Sequence, residues 1–141
     1  MWVGRSVSVD ERSDYTLTSV LKPPFLMQRT EAGTCYHLKD ASVKMTGTPA
    51  QEAILDAAAQ VYAATEQPLV VTSAEDGEHM EGSLHYDGKA IDLRVWELGS
   101  HERVAAQMQN ILGDRYDVVA EWRVEADGEV PSHIHAEHDP A

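Results

Sequence analysis

The chain has few of the features that stabilise or anchor proteins by means other than a packed core. It has one cysteine, Cys35, which excludes an intrachain disulfide and a zinc site built from cysteines. No apolar run approaches the roughly 20 residues that a membrane-spanning helix needs. The start, MWVGRSVSVDERSDY, lacks the apolar core of a signal peptide. We therefore expect a protein that stays in the cytoplasm, is released by another route, or has had a leader trimmed off.

Basic residues are also scarce. The sequence has 11 Lys and Arg against 24 Asp and Glu, a formal net charge of −13. Nucleic acids and anionic membrane surfaces both attract Lys and Arg, so the negative net charge argues against both as partners. We expect a monomer that binds neither.

What the chain does have is a clear helix and strand pattern after its first 45 residues. Hydrophobic residues make up 43% of the 141 residues, which predicts a single domain, 1–141, with its own core. Thr48 and Pro49 form a helix start, an alanine-rich apolar face follows, and Pro68 is expected to end the helix. A second helix is predicted from the N-cap Ser100 to Gly113.

Four strands are predicted around these helices: LVVTS, KAIDLRVW, YDVVAEWRVE and, after an Asp-Gly turn, VPSHIHAEH. The order predicts an α+β domain with a mostly antiparallel sheet flanked by two main helices. Residues 1–45 give weaker signals: VGRSVSV alternates like an edge strand, LKPPFL is extended, and YHLKDASVKM can hold a short strand.

Two separate segments carry polar residues that can meet. His133 and His135 are two apart, so a strand presents both on one face. If that strand lies near KAIDLRVW, then His85, Asp92 and one of the two histidines converge. Two imidazoles and a carboxylate are a common catalytic zinc set, with Glu129 the nearest further carboxylate to act as base. The alternative is a hydrogen-bonded loop histidine and a strand-end acid without metal.

The same residues resemble a known family. The pattern S-x-H-x-x-G-x-A-x-D followed by a late H-x-H is similar to that of zinc peptidases grouped around D-alanyl-D-alanine carboxypeptidases, phage L-alanyl-D-glutamate endopeptidases and the hedgehog signalling domain. The stretches TSAEDGEHMEGSLHYDGKAIDLR and EVPSHIHAE look most like the hedgehog domain. The resemblance covers roughly residues 48–138 and implies a bacterial or phage hedgehog-like domain.

The resemblance implies a role for each matching residue. It makes His85, Asp92 and His135 the zinc ligands. Glu129 matches the general base, and His133 matches the histidine that hydrogen-bonds the metal-bound water or the developing oxyanion. His79 matches a histidine that borders the metal cleft. Ser83 matches the serine that contacts the substrate in the carboxypeptidase branch.

Three departures from the pattern bear on substrate and cofactor. The arginine that the carboxypeptidases carry after their first core strand is missing from VTSAEDGEH. Ser132 stands where that branch has its acid. The hedgehog domain also binds calcium, and Glu75, Asp76 and Glu78 lie in the matching loop, but that loop is shorter here and an upstream acid cluster is not evident.

Two functions from different classes follow from this resemblance. The first is a zinc metallopeptidase, a carboxypeptidase or endopeptidase, acting on short peptides such as peptidoglycan stems, with zinc-activated water and a glutamate base. Release during phage lysis would then explain a wall-cutting enzyme without a signal peptide. The second is a zinc-stabilised binding module with little or no hydrolysis. Glu129 as base and a free coordination position on the zinc ion distinguish the two functions, because only the peptidase needs them.

Overall fold

The computed structural model describes residues 26–76 and 88–140. The strand expected for VGRSVSV lies outside these ranges. The described residues form six strands and two helices, in the order β1 (Leu26–Arg29), β2 (Cys35–Leu38), α1 (Pro49–Tyr62), β3 (Val70–Ser73), β4 (Ala90–Leu93), α2 (His101–Leu112), β5 (Tyr116–Glu125) and β6 (Gly128–His138).

The strands form one sheet in the order β1-β2-β3-β4-β6-β5. Strands β2 and β3 pair in parallel, because α1 carries the chain from one end of β2 back to the start of β3. The other four pairs are antiparallel. The prediction of an α+β domain with a mostly antiparallel sheet and two main helices is confirmed at this level.

The helix ends follow their capping residues. The Thr48 hydroxyl accepts the Gln51 N–H, and the Gln51 side chain accepts the Thr48 N–H in return, which closes a capping box. Helix α1 ends at Tyr62 and not at Pro68. The reason is local: the Thr65 hydroxyl and N–H both donate to the Tyr62 carbonyl, at 2.7 and 2.9 Å. Helix α2 begins after Ser100 and ends at Gly113, as predicted.

Both helices pack on one face of the sheet. The largest fully buried side chains there come from the helices (Ile54, Leu55, Met108) and from the central strands (Ile91, Leu93, Ile134). Each such side chain contributes on the order of 1.5–3 kcal/mol by leaving water. Because strand residues alternate, the residues between these apolar ones point to the other face of β4 and β6. Neither helix has the length and apolar character to cross a membrane, within the ranges that the structure describes.

Strand β5 forms one edge of the sheet, and α2 lies against it. The Gln109 amide donates to the Tyr116 carbonyl at 2.6 Å and accepts the Val118 N–H at 2.9 Å. His101, which is buried, donates from Nε2 to the Glu121 carbonyl at 3.0 Å. Helix α2 thus satisfies backbone groups along the first half of this edge strand.

Candidate metal centre

Asp92 and His135 face each other across neighbouring strands. They are direct partners in the antiparallel pairing of β4 and β6. Their neighbours Leu93 and Ile134 are fully buried under the helices, so Asp92 and His135 point to the opposite face. The His135 Nδ1 lies 3.0 Å from the Asp92 Oδ1. The convergence that the sequence predicted for these two residues is present.

His133 lies beside this pair on the same strand. Its Nε2 is 3.7 Å from the Asp92 Oδ1, and its Nδ1 is 2.9 Å from the Ser132 hydroxyl. Its side chain is 31% exposed, against 14% for Asp92 and 19% for His135. His133 therefore lies where the cluster meets solvent, within reach of a molecule bound there.

A second carboxylate contacts the histidine from the other side. The Glu137 Oε1 lies 2.7 Å from the His135 Nε2. Burial alone would lower the pKa of His135, but the hydrogen bonds and charges of Asp92 and Glu137 outweigh it and raise the pKa to about 9. Without a metal, the protonated ring donates one N–H hydrogen bond to each carboxylate. The sequence interpretation missed Glu137, although its spacing of two residues from His135 places both on one strand face.

The described part of the cluster fits a zinc ion. Two atoms that bind one tetrahedral zinc at about 2.0–2.1 Å lie roughly 3.3 Å apart. The Asp92 Oδ1 and the His135 Nδ1 are 3.0 Å apart, and nitrogen and carboxylate oxygen are both ordinary zinc donors. The third predicted ligand, His85, lies outside the described residues, as do Ser83 and His79. The zinc site therefore stays a prediction that two of its three ligands fit.

Glu129 is placed away from the cluster by an irregularity in β6. Glu121 pairs with His133 but Trp122 pairs with Pro131, so Ser132 is an extra residue in β6. Glu129 therefore pairs with Val124, on the face of β5 that also carries Trp122.

Trp122 identifies that face as the helix side. Its ring packs edge-on against His101 of α2, with centroids 4.6 Å apart. The Glu129 side chain is exposed and lies on this side, whereas His133 is on the other. Among the described residues, no hydrogen bond or ion pair joins Glu129 to Asp92, His133 or His135. The structure does not bring the expected base to the cluster.

The described loop acids that match calcium ligands accept hydrogen bonds from neighbouring groups in the structure. The Glu75 Oε1 accepts the N–H and the hydroxyl of Thr46, at 2.9 and 3.0 Å. The Asp76 Oδ1 accepts the N–H groups of Lys44 and Ala74, at 3.1 and 2.8 Å. Glu78 lies outside the described residues. These contacts account for both acids without a cation, and calcium binding stays a prediction from the resemblance.

One acidic group has the spacing of a cation site. Oxygen atoms of Asp117, Glu137 and Asp139 lie within 4.8 Å of one another, on β5 and at the end of β6. Exposed acids often lie together without an ion. The spacing by itself does not identify a second metal.

Comparison with models of protein families gave no match, and comparisons with curated proteins and with solved structures gave none either.

Proposed function

We propose that the chain is a zinc-dependent peptidase that hydrolyses short peptides, with peptidoglycan stem peptides as the first substrates to test, and that it has a hedgehog-like peptidase fold. One observation carries the proposal. Asp92 and His135 present an oxygen and a nitrogen 3.0 Å apart on the sheet face away from the helices, with His133 beside them. His133 is the most exposed of the three side chains, so it can reach a molecule bound at the pair.

Each residue then has a defined task. Asp92, His135 and His85 would hold the zinc ion. A zinc ion in such a site polarises a carbonyl and lowers the pKa of water to about 7. His133, whose Nε2 lies 3.7 Å from the Asp92 Oδ1, would first accept a proton at the reacting group and later donate it, and the Ser132 hydroxyl at its Nδ1 fixes the ring.

The proton acceptor is the point at which the proposal departs from the family pattern. Glu129 can serve as general base only if the end of the β5–β6 hairpin twists toward the cluster, because its side chain is on the face opposite to His133. His133 needs no such movement. We therefore assign the first proton transfer to His133 and treat Glu129 as the alternative base.

The placement of Glu129 also favours a second candidate function. A zinc-stabilised binding module needs the metal ligands but no general base, and an exposed Glu129 on the helix side suits that reading. In such a module, His133 and the sheet face around it would contact a partner without hydrolysis.

Mass spectrometry of stem peptides incubated with zinc-loaded protein tests both functions. Four variants are run beside the parent: Asp92→Asn, His133→Ala, Glu129→Gln and the control Asp139→Asn. The peptidase predicts cleavage by the parent and the control, and loss with Asp92→Asn and His133→Ala. Loss of cleavage with Glu129→Gln would show that Glu129, and not His133, is the general base. Stoichiometric zinc with every peptide intact would refute peptidase action on these substrates and favour the binding module.

A further inference from the structure

The contact between His135 and Glu137 assigns a role that the family resemblance does not include. We propose that Glu137 is a positioning residue, whose carboxylate holds the Nε2–H of His135 so that Nδ1 faces Asp92 and a shared metal ion. The inference rests on the proposed metal site but not on peptidase activity.

The geometry is that of a strong, directed hydrogen bond. The His135 Nε2 to Glu137 Oε1 distance of 2.7 Å is in the range of charge-assisted bonds. The side chains of His135 and Glu137 are 19% and 23% exposed, so solvent competes only weakly for the bond. Both partners are on β6 with one residue between them, which places their side chains on the same face.

The neighbouring strands hold Glu137 in place. Its direct partner on β4 is Ala90, which is fully buried, and its partner on β5 is Asp117. The backbone of β6 is thus paired on both sides at this residue. The bond to His135 therefore costs little additional ordering of the backbone.

The bond determines which nitrogen can bind a metal. An imidazole that donates its Nε2–H keeps its lone pair on Nδ1, and Nδ1 is the atom that lies 3.0 Å from the Asp92 Oδ1. A carboxylate behind a metal-binding histidine also keeps the ring from turning and raises its basicity. Removing such a partner typically weakens metal binding about 10–100-fold.

The acidic group around Glu137 supplies matched controls. Asp117 and Asp139 have carboxylate oxygens within 4.8 Å of one of its oxygens, so they share its electrostatic surroundings. Neither has a hydrogen bond to His135 among the contacts of residues 88–140. Asp139→Asn and Asp117→Asn remove the same charge as Glu137→Gln without touching the ring.

The test measures zinc affinity by competition with a chromophoric chelator for the parent, Glu137→Ala, Glu137→Gln and the two controls. In parallel, the Nε2 proton and the nitrogen shifts of His135 are followed by NMR in metal-free and zinc-loaded protein. We expect Glu137→Ala to bind zinc about 10–100-fold more weakly than the parent. The NMR signal of the protected His135 Nε2 proton should also disappear in this variant. Glu137→Gln should lose less, because an amide oxygen still accepts the bond. The controls should match the parent.

Different results would overturn the proposal. Parent-like zinc affinity in Glu137→Ala, or an equal loss in Asp139→Asn, would show that the bond is incidental or that only net charge matters. A parent protein that binds no zinc would overturn the metal site itself, and this is visible without any variant. If the parent protein binds zinc but cleaves no peptide, peptidase action on these substrates is refuted. The role of Glu137 is then still decided by the zinc affinities of the parent and the variants.

Discussion

Replacing Gly88 by alanine should destabilise the protein well beyond the usual effect of such a change. Gly88 has φ +70°, and a Cβ there would lie 2.6 Å from the Glu75 Oε2 and 2.9 Å from the Thr48 Cγ2. Neither neighbour can move freely. Glu75 accepts two hydrogen bonds from Thr46, and Thr48 is the N-cap of α1.

The expected magnitude has two parts. Left-handed backbone strain for alanine is about 1 kcal/mol. Displacing the Glu75 carboxylate or the Thr48 side chain weakens hydrogen bonds that each contribute about 1 kcal/mol, so a further 1–2 kcal/mol is expected. Gly99 separates the two parts, because its φ is +81° but nothing lies within 4 Å of its Cβ position. Gly99→Ala should therefore show the strain alone.

Urea unfolding of the parent, Gly88→Ala and Gly99→Ala would measure the difference. Both variants remove a glycine from the unfolded chain, so that contribution cancels between them. We expect Gly88→Ala to lower the free energy of unfolding by about 1–2 kcal/mol more than Gly99→Ala. Equal losses would refute the reasoning that the contact with Glu75 and Thr48 requires glycine.

Three further measurements test other parts of the structure. Burial lowers the pKa of His37 to about 4, so the stability that its neutral ring contributes should fall as the pH drops from about 6.5 toward 4, by about 2 kcal/mol at pH 5; between pH 7 and 5, urea unfolding should show that His37→Leu has lost this contribution to the fall, and a change equal to that of the parent would contradict this. Ile134→Ala should cost about 2–5 kcal/mol, against less than 1 for exposed Ile111→Ala. In metal-free protein, NMR should find the pKa of His135 near 9, with Glu137→Gln lowering it; a value near 6.5 would contradict the double hydrogen bond.

Much of the fold could be predicted because short-range chemistry decides it. Thr48, Pro49, Ser100 and Gly113 act on their own helix ends, and each is at the predicted end in the structure. Strand β1 was not predicted, because LMQR neither alternates nor carries turn residues. Its strand conformation depends on pairing with β2, and the local sequence pattern does not show which segment pairs with it.

The site was predictable to the extent that strand periodicity determines it. A spacing of two placed His133 and His135 together, and the pairing of β4 with β6 then brought Asp92 opposite. The extra residue Ser132 was not predictable, because a bulge depends on the registers of both strands. It changes the face of every residue beyond it, and for that reason Glu129 is on the helix side.

For the proposed peptidase, the hydrogen bonds from α2 to β5 limit how a peptide would approach the candidate metal centre. Many proteins bind extended peptides by adding them as a further strand to a sheet edge. Gln109 and His101 already occupy backbone groups between Tyr116 and Glu121 on the edge nearest the cluster. Among the described strands, β1 is at the opposite edge, three strands away from β4. A substrate of the proposed peptidase should therefore lie across the sheet face that carries Asp92 and His135, and side-chain contacts there, not backbone pairing at an edge, should decide which peptides are accepted.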